Sequence, residues 1–156
     1  PWLSPPGAAV IPLSVVAMAT VFNIINSTVL GGALFVLNGA DSVPLIRLTV
    51  GLSIFVVGFV IHVRSDSILR NLRREHGPGY HVPSGFLYRW ISCPNYFGEI
   101  VQWFGFALAM HSLAGWSFAI WTVANLFPRA LRHHRWYQDR FEDYPGERRA
   151  IIPMVL

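Results

Sequence analysis

The sequence predicts an all-α protein, a multi-pass transmembrane helical bundle of about four spans with basic loops on the cytoplasmic side. Three observations lead to this prediction. Hydrophobic residues make up 53% of the 156 residues and charged residues only 13%, about half the charged fraction of a soluble domain. All 12 basic side chains are arginine. The charges also fall mainly into two segments that interrupt long apolar stretches, as is typical of membrane proteins.

Four apolar stretches are long enough, or nearly so, to cross a hydrocarbon core of roughly 30 Å as helices. They are approximately Ala8 to Asn26, Leu45 to Val63, Pro94 to Ser112 and Trp116 to Pro128. The Gly31-Gly32 pair either extends the first helix or bends it, and the short fourth stretch either tilts or continues into the basic tail. Nothing divides the chain, so residues 1–156 are predicted to form one domain.

The positions of the charges predict the topology. Arg64 to Arg89 contains five arginines and two acids, and Arg129 to Arg149 contains six arginines and four acids. Arginine-rich loops favour the cytoplasmic side, so both segments and both termini are predicted to be cytoplasmic, in a bacterial inner membrane or the endoplasmic reticulum. Basic segments between apolar stretches indicate contact with membrane lipid, and no nucleic-acid partner is predicted.

Cysteine and histidine usage predicts no metal site. Cys93 is the single cysteine, which excludes an intramolecular disulfide and a multi-cysteine metal site. His133 and His134 are adjacent and therefore point in different directions on a helix. No third ligand has suitable spacing for them.

Polar side chains within apolar stretches are functional candidates, because they are costly in a membrane. Asn26 is one of several in or just after the first span, where interhelical hydrogen bonding and ligand contact are both open. Asp66 and Arg73 share a helix face, which suits either a solvated ion pair with Arg70 or a ligand. Glu99 stands one turn after Asn95 and either holds an arginine or tyrosine of another segment or binds a ligand.

The basic tail places Arg129, His133 and Tyr137 at successive steps of four residues. Guanidinium, imidazole and phenol groups together suit an anionic ligand that contains rings. A basic helix on anionic lipid is the alternative. The sequence contains no GxGxxG or Walker motif, so a nucleotide would be bound without a Rossmann fold.

Three motifs in register resemble the steroid 5-alpha-reductase family (3-oxo-5-alpha-steroid 4-dehydrogenase). They are Ser65 to Arg73 (SDSILRNLR), Ser92 to Glu99 (SCPNYFGE) and Pro128 to Tyr137 (PRALRHHRWY), followed by FEDYP and IIP. Members of that family are multi-spanning membrane enzymes that reduce the carbon-carbon double bond of a 3-oxo-Δ4 steroid with NADPH. The resemblance therefore implies a steroid or steroid-like enone as substrate and NADPH as cofactor.

The resemblance also implies which residues bind the cofactor. The positions that match the family's pattern are Asn26, Asp66, Arg73, Tyr80, His81, Asn95, Glu99, Arg129, His133 and Tyr137. The arginines would neutralise phosphates, Asn95 would bond a polar cofactor group, and Glu99 would fix its neighbours or the nicotinamide amide. The chain departs from the commoner vertebrate pattern at His62, where asparagine is usual, and at His81, where arginine is usual.

Family members also carry, N-terminal to the matching region, a glutamine-glutamate pair and a tyrosine that engage the steroid ketone oxygen. This sequence has no counterpart, so we expect these donors on a segment that precedes Pro1, and we expect the chain to supply mainly the cofactor-binding part. Three alternatives stay open at this point. They are a membrane methyltransferase of the isoprenylcysteine carboxyl type, a sterol double-bond reductase and a non-catalytic membrane scaffold.

Overall fold

The computed structural model describes residues 12–32, 44–77, 79–153 and 155. Four α-helices account for most of these residues: α1 (Leu13–Gly32), α2 (Leu45–His76), α3 (Pro94–Met110) and α4 (Leu113–Arg140). A short 3₁₀ helix, Phe86–Arg89, lies between α2 and α3. Within the described ranges the extended pairing is limited to an isolated bridge, which confirms the all-α prediction.

Helices α1 and α2 are long and apolar enough to cross a membrane. α1 has 20 residues and none of its side chains is buried. Its exposed side chains include Leu13, Met18 and Ile24, which would be unfavourable in water but suit contact with lipid. Length and composition thus give the protein a membrane-type architecture in at least these two helices.

Helix α1 ends later than the predicted first span. The first span was expected to end at Asn26, but α1 continues through Gly32, so the glycine pair extends the helix. Backbone groups in an apolar environment have no water to bond, which favours continuation of the helix even at glycine. The predicted start of this span at Ala8 lies outside the described residues.

The basic segments lie largely on helices α2 and α4 instead of in loops. α2 runs 13 residues past its predicted end, Val63, and stops at Gly77, whose φ of 77° favours glycine. α4 continues through Pro128 to Arg140, although proline cannot donate the hydrogen bond to the carbonyl of Ala124. Helical arginines from both segments therefore stand at fixed positions along α2 and α4.

Glycines spaced seven residues apart let α2 and α3 touch through their backbones. A Cβ at Gly51, Gly58, Gly98 or Gly105 would lie less than 3.0 Å from backbone atoms of the opposite helix. Small residues at a helix interface permit such close approach, and in lipid the resulting van der Waals contact drives association. α2 and α3 thus form the rigid centre of the described structure.

The chain after α4 returns to the start of α3. Ser92 N donates to the Arg149 carbonyl at 2.8 Å, Arg149 N donates to the Trp90 carbonyl at 2.9 Å, and Cys93 N donates to the Ala150 carbonyl at 3.1 Å. A small buried core of Cys93, Ala130 and Ile151 lies behind this pairing. The C-terminal tail consequently fixes the residues that lead into α3.

Candidate functional site

Four polar side chains from α2 and α3 meet near the beginning of α3. His62 Nε2 lies 3.5 Å from Asp66 Oδ2, and His62 Nδ1 lies 3.8 Å from Glu99 Oε2. Asn95 Nδ2 donates to Asp66 Oδ1 at 3.2 Å. We call these four residues the His62 cluster. His62, Asp66 and Glu99 each keep about a third of the side chain exposed, so the cluster is open to a ligand.

The helix geometry explains why these residues meet. Asp66 follows His62 by one turn on α2, and Glu99 follows Asn95 by one turn on α3, so each pair shares a face. Gly98 allows the two faces to approach, since a Cβ there would collide with the His62 backbone nitrogen. Asp66 is held by His62 and Asn95, and Glu99 faces His62.

Helix α4 closes one side of the cluster. The Tyr96 hydroxyl lies 3.5 Å from His133 Nε2, and the two rings pack edge to face. Arg129 interacts electrostatically with Glu99 and with Tyr96. Tyr137 stacks on Tyr144 with ring centroids 5.4 Å apart. Four predicted site residues, Asn95, Glu99, Arg129 and His133, are thus brought close together.

The segment after α2 also reaches α4. Tyr80 packs on Trp136 with centroids 4.7 Å apart, which joins the two basic segments. The His81 ring lies 5.0 Å from the His76 ring, and its buried Nε2 has no hydrogen-bond partner among the described residues. Arg73 is exposed near the end of α2. Residues of the two basic segments therefore lie next to each other.

Asn26 is placed elsewhere. It lines a cavity of about 670 Å³ between α1 and α4, together with apolar side chains that include Phe22, Phe118 and Trp121. Trp103 of α3 packs on Phe118 with centroids 4.4 Å apart, and it also interacts with Glu99. Trp103 thus links the His62 cluster with the apolar cavity. A contact between Asn26 and the cofactor stays a prediction.

A second polar group was not foreseen from the sequence. Ser92 Oγ lies 2.6 Å from both His134 Nδ1 and the Tyr144 hydroxyl, and it donates to the Arg149 carbonyl at 3.1 Å. A hydroxyl has one proton, so Ser92 accepts from the other two groups and His134 carries its proton on Nδ1. The FEDYP motif contains Tyr144, but the motif alone gives no partner.

Two histidines of α4 and the cysteine that precedes α3 favour their neutral forms. Burial lowers the pKa of His134, with a further contribution from Arg149, and burial together with Arg132 and Arg129 lowers the pKa of His133. Burial also raises the pKa of Cys93 to about 12, so this cysteine stays a thiol. Within the described ranges, no three His, Cys, Asp or Glu side chains are placed to hold a metal ion.

These histidine shifts predict how stability depends on pH. A lowered native pKa means that the unfolded chain binds more protons as the pH falls below about 6.5, so stability is retained above that pH and decreases below it. We expect the melting temperature in detergent to fall between about pH 6.5 and pH 5.5. The double variant His133→Gln/His134→Gln should flatten this decrease, and an unchanged slope would contradict the assignment.

The helices and the site together define a class of protein: an all-helical protein of membrane type with a half-buried acid, amide and imidazole site beside helical arginines. The chain belongs to the 3-oxo-5-alpha-steroid 4-dehydrogenase family, whose model matches residues 9–156. The resemblance seen in the three motifs is thereby confirmed.

Individual relatives support the same assignment. The chain is 46% identical to 3-oxo-5-alpha-steroid 4-dehydrogenase 1 of Bos taurus over 70% of this chain and 43% of the relative. It is 51% identical to the Rattus norvegicus protein of that name, over 68% of this chain and 41% of the relative. It is also 38% identical to steroid 5-alpha-reductase DET2 of Arabidopsis thaliana, over 97% of this chain and 59% of the relative. The chain thus spans about half the length of the curated relatives it matches.

Proposed function

We propose that the chain forms the NADPH-binding part of a membrane reductase that saturates the 4,5 double bond of 3-oxo-Δ4 steroids. The observation that carries this proposal is the His62 cluster, which lies beside Arg129 and His133 of α4 in a member of this family. The methyltransferase alternative is less consistent with this site, because S-adenosylmethionine has no phosphate for the surrounding arginines to bind.

The donor and acceptor groups fit a phosphorylated dinucleotide. Arg73 and Arg129 offer guanidinium groups to the phosphates, and Asn95 offers an amide to a polar group of the cofactor. The buried His81 Nε2, which has no partner among the described residues, suits a hydrogen bond to the same ligand. Tyr80 and Tyr137 stand on the α4 side, where rings of a nucleotide can stack.

When bound, NADPH supplies the hydride that adds to the β carbon of the enone. The protein's part is to place the steroid beside it, and we assign that role to the apolar cavity between α1 and α4. Its volume of about 670 Å³ is within the range of small-molecule sites. Asn26 lines this cavity, and its side-chain amide can donate a hydrogen bond to a substrate oxygen. This role is an alternative to the predicted cofactor contact.

Hydride addition places negative charge on the ketone oxygen, so a hydrogen-bond donor is needed there. From the family resemblance we expect this donor on a part of the protein N-terminal to Pro1. The activity of the whole protein is therefore proposed for the full-length chain, with the described helices holding the cofactor.

We further propose that all four helices cross the membrane, with α3 and the first half of α4 as the third and fourth spans. α3 has 17 residues and is therefore about 25 Å long, close to the hydrocarbon thickness. The arginine-bearing ends of α2 and α4 would then face the cytoplasm, where NADPH is available.

Product analysis tests the proposed reaction. The full-length protein in detergent, given a 3-oxo-Δ4 steroid and NADPH deuterated at the transferred hydrogen, should yield the saturated ketone with deuterium at the former β carbon. Asn95→Ala should reduce the yield at least about tenfold, because a hydrogen bond to the cofactor is lost. Methyl transfer from S-adenosylmethionine, with no saturated product, would contradict the proposal.

A further inference from the structure

His62 stands between two carboxylates that belong to different helices. Its Nε2 faces Asp66 Oδ2 at 3.5 Å and its Nδ1 faces Glu99 Oε2 at 3.8 Å. Nδ1 is buried and makes no hydrogen bond in the part of the chain that the structure describes, and Glu99 faces it at ion-pair distance. The imidazole therefore bridges α2 and α3 through the two acids.

Backbone packing fixes this position. Gly98 of α3 lies against the backbone nitrogen of His62, so close that a Cβ at Gly98 would collide with it. Asn95, one turn before Glu99, holds the second carboxylate oxygen of Asp66 at 3.2 Å. The backbone of His62 is thus held against α3, which places its imidazole between the two acids, and each acid contacts a group of the neighbouring helix.

Histidine suits this place for a chemical reason. An imidazole has a nitrogen on each side of its ring, so it can face two carboxylates at once, and it donates to both when both nitrogens carry protons. An asparagine amide has its two hydrogens on one nitrogen and serves two separated carboxylates poorly. Two carboxylates close together repel each other, and a donor between them offsets that repulsion.

We propose that His62 is a positioning residue that orients Asp66 and Glu99 toward the bound dinucleotide. This inference rests on the proposed NADPH site. His62 acts through the two carboxylates and through the charges around them, which include Arg129 on α4. Its removal should leave both acids free to turn away from the cofactor, which weakens binding of NADPH without changing the chemistry of hydride transfer.

A double-mutant cycle on the full-length protein tests this role. The dissociation constant of NADPH is measured for the wild type, His62→Ala, Glu99→Gln and the double variant. Each single change should weaken NADPH about tenfold, as expected for a lost hydrogen bond to a charged group. The double variant should be weakened clearly less than the product of the two single losses, because His62 acts in part through Glu99. In turnover assays, His62→Ala should raise KM for NADPH and leave kcat within about twofold.

Controls separate positioning from general damage. His62→Asn keeps one donor group and should recover part of the affinity, and it replaces His62→Ala in the cycle if the latter loses its cooperative unfolding transition. His111→Asn is the matched control, because His111 is exposed at the far end of α3 and its φ of 46° is one that asparagine tolerates. It should bind NADPH like the wild type.

Three results would overturn the inference. One is an unchanged affinity in His62→Ala, and another is a roughly hundredfold loss in the double variant, which would mean that the two residues act independently. The third is a wild-type protein that fails to bind NADPH, which removes the proposed function together with this inference. The first two results leave the proposed function intact.

Discussion

Gly58→Ala is expected to destabilise the protein by about 3 kcal/mol or more and to lower the yield of folded protein in detergent. A Cβ at this position would lie within 3.0 Å of backbone atoms of Gln102 and Gly98 on α3. Backbone atoms cannot move aside like the end of a flexible side chain, so α2 and α3 must separate. Separation removes the van der Waals contact that holds helices together in lipid.

Gly31→Ala is the matched control for this prediction. Gly31 is also a helical glycine of an apolar helix, but a Cβ there would meet nothing within 4 Å. Because alanine has the higher helix propensity, this variant should be as stable as the wild type or slightly more stable. Thermal unfolding of both variants in the same detergent measures the difference. Equal stability of the two variants would mean that α2 and α3 do not touch as described.

Arg129→Ala is expected to weaken NADPH about tenfold to hundredfold and to weaken NADH much less. We propose that Arg129 binds the 2′-phosphate, the group that distinguishes the two cofactors, because it places an exposed guanidinium on α4 at the border of the site. A charge-assisted bond to this phosphate exists with NADPH alone. Dissociation constants for both cofactors, measured on the same preparation, give the ratio.

Arg135→Ala controls for the loss of one positive charge. Arg135 is exposed and six residues further along α4, so it points to a different side of the helix. It should weaken both cofactors slightly and equally, through the general field of the protein. An equal loss of NADPH and NADH in Arg129→Ala would contradict the assignment to the 2′-phosphate.

Much of the fold follows from the sequence because apolar length and charge position are local properties. The starts of α2 and α3 coincide with the predicted starts at Leu45 and Pro94. The sequence left open whether the Gly31-Gly32 pair extends or bends the first helix, and α1 extends through it, one to two turns past Asn26. Whether Pro128 ends or continues a helix is decided by packing, and the sequence left that open.

The sequence identified most residues of the candidate site but did not predict which of their side chains meet. Asp66, Asn95 and Glu99 were identified as candidates, but the contacts of His62 with Asp66 and Glu99 were not foreseen. Its role depends on the close approach of α2 and α3 at Gly98, which no local signal reveals. The pairing of Ser92 with Tyr144 likewise joins residues 52 positions apart.

The central claim is that the helices around the His62 cluster bind NADPH. The most direct test is the melting temperature of the purified protein in detergent with saturating NADPH, NADH or S-adenosylmethionine. A ligand that binds only the folded state raises the melting temperature. At a ligand concentration one hundred times Kd, the free energy of unfolding increases by about 2.7 kcal/mol. We predict a large shift with NADPH, a smaller one with NADH and none with S-adenosylmethionine. A shift with S-adenosylmethionine alone, or with none of the three, would contradict the claim.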